Sequence, residues 1–84
     1  MDVHHLVEMA NQIGEFYRVE PDRSTAMLDT ANHLRRSWDP RMREALYAHV
    51  DQHAGAGLDP FLAETVRVHR TLLEPARRKS TTPR

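Results

Sequence analysis

Apolar residues recur along this 84-residue chain at steps of three and four, the spacing of one helix face, while strand-favouring residues are scattered and glycine is scarce. Leu6, Met9, Ala10, Ile13, Phe16 and Tyr17 predict a first helix from about Val3 to Tyr17, with Glu8 and Glu15 on its opposite face. The segment VEPDRS reads as a turn, with Asp22 the N-cap of a second helix carrying Met27, Ala31, Leu34 and Trp38 on one stripe, across from Asp29 and Arg36. Asp39-Pro40 stops that helix and starts a third, whose stripe is Met42, Ala45, Leu46, His49, Val50 and His53. AGAG at 54–57 ends the third helix, with Gly55 a candidate for a left-handed cap. Asp59-Pro60 repeats the cap-then-proline start, and Leu58, Leu62, Val66, His69, Leu72 and Leu73 should face inward from a fourth helix ending near Glu74-Pro75.

The fold class that follows is all-α: a small bundle of three to four short amphipathic helices over residues 1–74, with a disordered basic tail at 75–84. Four amphipathic faces in so short a chain need not all close on one another, and the fourth helix is the one expected to project or swing. A domain of this size buries only about 60% of the surface its unfolded chain exposes. Such chains gain stability from disulfides, a metal or a partner, and with no cysteine the first is excluded. The lack of cysteine and of a basic-then-apolar leader fits a soluble, cytoplasmic protein, and no apolar run approaches the ~20 residues that span a bilayer.

Charge refines the partner class. The 12 basic and 12 acidic residues cancel overall, but Arg77, Arg78, Lys79 and Arg84 all follow the last acid, Glu74, so the tail carries +4 and the body −4. An acidic body argues against nucleic acid as the main partner.

Reaction chemistry finds little support. His49 and His53 form an H-x3-H pair on one helix face, yet no third or fourth ligand accompanies them and both lie on the apolar stripe, so helix packing is the better reading. The adjacent His4 and His5 point about a hundred degrees apart and cannot share a site well. Ser24, Ser37 and Ser80 lack a glycine-flanked elbow, and Gly14, Gly55 and Gly57 make no phosphate loop.

Two segments stand out instead. ANHLRRSWDPRMR at 31–43 places the only Trp and four of the 12 basic residues, Arg35, Arg36, Arg41 and Arg43, at one helix junction, a combination common at protein interfaces. MANQIGEFY at 9–17 puts Asn11 and Gly14 inside a helix, two poor helix formers of which glycine costs ~1 kcal/mol against Ala. Gly14 permits close approach of another backbone, and the Asn11 amide projects off the apolar stripe toward a possible partner.

These two motifs, with EALYAHVD at 44–51 and GLDP at 57–60, resemble the small delta subunit of the bacterial NAD-dependent, molybdenum-containing formate dehydrogenases, over roughly residues 5–63. The resemblance implies a non-catalytic accessory subunit that binds no cofactor itself. In that family a large alpha subunit holds the molybdenum bis-pterin cofactor and iron-sulfur clusters, while beta and gamma subunits pass electrons through clusters and flavin to NAD. The absence of Cys agrees with a chain that ligates no cluster. Mapped onto this sequence, the resemblance makes Met9, Asn11, Gln12, Phe16, His33, Trp38, Arg41, Met42 and Arg43 the candidate partner-binding residues, with Arg41 and Arg43 pairing carboxylates of the alpha subunit. Ile13, Gly14, Leu34 and Pro40 are the candidate structural residues, Ile13 packing inside and Pro40 holding the interhelix angle. Trp38 is a candidate for core, anchor or both.

Two alternatives compete with a subunit that supports assembly or stability of the complex. One is a maturation chaperone that binds the alpha subunit before cofactor insertion and then leaves. The other is a free-standing helical homodimer with a regulatory or nucleic-acid-binding role through the basic tail. The isolated chain is expected to self-associate through apolar faces that lack their proper partner.

Overall fold

A computed structural model describes residues 2–70, and within them the chain forms four helices: α1 (Val3–Tyr17), α2 (Arg23–Ser37), α3 (Pro40–His53) and α4 (Pro60–Val68). Each begins after an aspartate. The Asp2, Asp22 and Asp39 carboxylates accept from the backbone N–H groups of His4, Ser24 and Met42, satisfying donors that a helix leaves orphaned at its start. Asp59 precedes α4 but makes no side-chain cap. Leu72 and Leu73, the expected end of the fourth helix and the expected disordered tail lie outside the described residues.

α1 packs against each of the other three helices, and α2 also meets α4. The core draws Leu6 and Ala10 from α1, Met27, Ala31 and Leu34 from α2, Leu46 and Tyr47 from α3, and Phe61, Leu62 and Val66 from α4. Fully burying a side chain such as Leu34, Leu46 or Leu62 is worth about 1.5–3 kcal/mol. Thr30 and Thr65 are sealed in the same interior, and each hydroxyl donates to the carbonyl four residues back, of Ala26 at 2.8 Å and Phe61 at 2.7 Å, so neither leaves an unmet polar group.

The expectation that the fourth helix projects is overturned. Leu62, Thr65 and Val66 are buried, and Arg23 of α2 reaches over α4 to pair with Glu64 while its guanidinium lies 5.4 Å from the Phe61 ring centroid. Gly14 makes the approach possible, because a Cβ at that position would overlap the Leu62 Cδ2 methyl. The close neighbour of Gly14 is therefore a side chain of α4 and not another backbone. Beyond α4, Arg70 forks onto Asp51 of α3 at 2.7 and 2.8 Å and lies over the Tyr47 ring.

The connection from α3 to α4 is held from both sides. Ala54 and Gly55 adopt left-handed φ values of 55° and 69°, so the reversal starts one residue before the expected Gly55 cap. His49 donates its Nε2–H to the Ala56 carbonyl at 2.6 Å, which makes it a loop anchor in the packed interior. Asn11 works from α1: its Nδ2 donates to the Gly57 carbonyl at 2.9 Å and its Oδ1 accepts from the Asp59 N–H at 2.9 Å. Gly57 holds φ 89°, and a Cβ there would press on Val7 Cγ1 at 3.3 Å, so the GLDP step needs a glycine where it crosses α1.

Candidate partner-docking groove

The apolar positions of α1 occupy more of the helix circumference than one interface can cover. Leu6, Val7, Ala10 and Gly14 turn into the core, which leaves Met9, Ile13 and Phe16 along the adjoining edge. That edge forms one wall of an open groove of about 420 Å³ lined by Met9, Gln12, Ile13, Phe16, Tyr17 and His33, the last from α2. Met9 and Ile13 are half-buried and pack from outside against the core cluster. Phe16 is 73% exposed, a large aromatic ring left in water at the groove's end.

The aromatic end of the groove is braced. The Phe16 and Tyr17 rings meet edge to face at 4.9 Å, and the Tyr17 ring is 5.7 Å from that of His33. The Tyr17 hydroxyl lies at hydrogen-bond distance, 3.3 Å, from His33 Nδ1, which ties α1 to α2 across the groove floor. Scattered exposed apolar residues carry no message, but a concave apolar surface with a few polar groups is the form that binding sites take.

Of the partner-binding residues expected from sequence, the structure gathers Met9, Gln12, Phe16 and His33 in this groove, together with Ile13, expected to pack inside. Tyr17 belongs with them, although its helical step had placed it on the core stripe. The others lie elsewhere. The Asn11 amide is spent on Gly57 and Asp59 inside the chain, which corrects its assignment as a partner contact. Trp38 is 3% exposed and part of the core, so of the readings core, anchor or both it takes the core one, and its place among the partner-binding residues is corrected. The reason is local: Trp38 follows the last turn of α2 in extended conformation, and its N–H still donates to the Leu34 carbonyl, which holds the indole over the Leu34 stripe and in the interior.

The junction therefore buries its aromatic ring and exposes three of its four cations. Arg35, Arg36 and Arg41 are exposed, Arg43 is half-buried, and Met42 packs on the core cluster from its edge. Pro40 stands at the start of α3 behind the Asp39 cap, and Leu34 is fully buried. Among the described residues, the two carboxylates whose acidity departs from the ordinary range lie away from the groove. Hydrogen bonding from Arg70 lowers the pKa of Asp51, and hydrogen bonding from Arg23 followed by its charge lowers that of Glu64. Among the described residues no three His, Asp or Glu side chains are grouped to hold a metal ion, and no helix is long and apolar enough to cross a membrane.

Among the described residues, four helices close on a shared core and leave an apolar, aromatic-ended groove beside α1, the build of a small all-α protein. The family model of the NADH-dependent formate dehydrogenase delta subunit, FdsD, matches residues 5–66, and the chain belongs to that family. The match runs from the start of α1 into α4 and so takes in the groove, the Asn11 clamp and the Trp38 junction. No curated protein and no solved structure matches the chain.

Proposed function

We propose that this chain is a non-catalytic subunit that docks through the groove between α1 and α2 onto the large, molybdenum-bearing alpha subunit of a cytoplasmic formate dehydrogenase and supports its assembly or stability. Family membership supplies the complex. The observation that carries the docking reading is the 73% exposure of Phe16 beside Met9 and Ile13, in a chain that otherwise buries its large aromatic residues wholly or in part. Burying such a ring against a partner contributes about 1.5–3 kcal/mol, so the groove is worth more in a complex than alone. Arg41 and Arg35, exposed at the α2–α3 junction and outside the groove, are a separate basic patch that can meet carboxylates elsewhere on the partner. The molybdenum cofactor, iron-sulfur clusters, flavin and NAD all belong to the partner subunits in this reading, and the chain holds none of them.

Purification of active enzyme from the host through a tag on this chain tests the proposal. Co-elution of the alpha subunit in fixed ratio, with formate-dependent reduction of NAD in the eluate, is the expected result. Recovery only with cofactor-free alpha subunit would replace the subunit reading with a maturation chaperone. Recovery of the tagged chain without any formate dehydrogenase subunit would overturn both.

A further inference from the structure

The groove has a charged border as well as an apolar floor. Over Val3–Tyr17, α1 contains no Lys or Arg. Glu8, Gln12 and Glu15 are exposed and follow one another at i, i+4 and i+7, a ridge running beside the line of Met9, Ile13 and Phe16. Neither Glu8 nor Glu15 forms an ion pair with a cation among the described residues. On the other wall, Asp29 lies one turn before His33 and Arg36 one turn after it, so the border carries three carboxylates against one guanidinium. Arg18, the next cation along the chain, falls half a turn round from the Met9 line.

We infer that the groove receives a basic amphipathic helix of a formate dehydrogenase subunit, its aliphatic or aromatic residues entering the groove and its Lys or Arg residues meeting the Glu8–Glu15 ridge. The inference rests on the docking reading above and adds the chemistry of what docks. The line from Met9 to Phe16 covers two helical turns, about 10 Å, which matches the reach of anchors at i, i+3 or i+4, and i+7 on a partner helix. Unpaired carboxylates flanking an apolar strip favour a cationic partner and repel an acidic one. A second copy of this chain fits poorly for the same reason, since its own groove border is acidic.

The test uses the full chain with a photo-reactive benzophenone residue at Gln12, purified in complex with the formate dehydrogenase subunits, irradiated, and the cross-linked peptide sequenced. The expected product is a segment of a formate dehydrogenase subunit with apolar residues at helical spacing and at least two flanking Lys or Arg. The pair Glu8→Lys and Glu15→Lys should then weaken retention of the chain about ten-fold, and Glu placed at the identified basic positions should restore it. Both sites are exposed, so unchanged Trp38 emission verifies that the variant folds. A cross-link to a neutral or acidic segment, to a second copy, or to residues 71–84 of the same chain overturns the inference, as does undiminished retention of the charge-reversed pair. Retention without any cross-link at Gln12 leaves the subunit reading standing, with docking through another face, and removes this inference. Failure of the unsubstituted chain to co-purify removes both.

Discussion

Replacing Asn11 by Ala isolates the clamp that joins α1 to the α3–α4 connection. The Asn11 side chain makes two hydrogen bonds to residues 46 and 48 positions away, and these fix where the α3–α4 connection crosses α1. Each such bond contributes about 0.5–1.5 kcal/mol net, so losing both costs about 1–3 kcal/mol. Ala returns about 0.6 kcal/mol through its better helix propensity. The expected net loss is about 1.5 kcal/mol, and at about 4–8 °C per kcal/mol for a domain of this size the melting midpoint should fall by about 6–12 °C. Asn11→Asp should cost more than Asn11→Ala, because it keeps the acceptor for the Asp59 N–H but aims a carboxylate oxygen at the Gly57 carbonyl. Thermal melts followed by far-ultraviolet circular dichroism on the purified chain supply the measurement. A midpoint within about 1–2 °C of wild type for Asn11→Ala would refute the clamp, and an Asp variant as stable as the Ala one would refute the hydrogen-bond assignment.

The sealed indole of Trp38 predicts blue-shifted emission that acrylamide quenches poorly, and emission like that of free indole would contradict its burial. Trp38→Ala should cost about 3–5 kcal/mol, a large share of the about 5–15 kcal/mol that holds a typical domain together, and leave the chain largely unfolded at 37 °C. Asp51 and Glu64 have lowered native pKa values, so their ion pairs stabilise the fold fully above the ordinary carboxylate range and lose that contribution as pH falls through the depressed values. Against an Asp51→Asn/Glu64→Gln variant, the lead of the wild type in thermal melts should therefore shrink between about pH 5 and about pH 2, and a lead that grows on acidification would contradict the pairing.

The helices were legible because capping and periodicity are local. Asp22, Asp39 with Pro40, and the run from Val3 to Tyr17 mark their boundaries with no knowledge of the rest of the chain. What periodicity does not supply is which part of a wide apolar face wins the core. α1 offers Leu6, Met9, Ala10, Ile13, Phe16 and Tyr17, and only the approach of α2, α3 and α4 turns Leu6, Ala10 and Gly14 inward and leaves Phe16 out. Asn11 and Gly14 are unusual choices for a helix, and sequence shows them as such. Their reasons, a loop 46 residues away and the Leu62 side chain, are tertiary and come only with the fold. Trp38 stayed open between core and anchor because arginines beside an aromatic ring are common at surfaces, and the extended residue after α2 decides it by putting the ring inside while Arg35, Arg36 and Arg41 stay exposed.

The central claim is that the exposed edge of α1 is the face that grips formate dehydrogenase, and Phe16→Asp tests it most directly. Phe16 lies outside the core, so the variant should keep its Trp38 emission and stay folded, losing about 1–2 kcal/mol with the Tyr17 ring contact and the new charge in the last turn of α1. Its retention on the tagged alpha subunit, measured by quantitative co-purification beside the wild-type chain, should be largely lost. A folded Phe16→Asp chain that remains bound in the wild-type ratio would contradict the account.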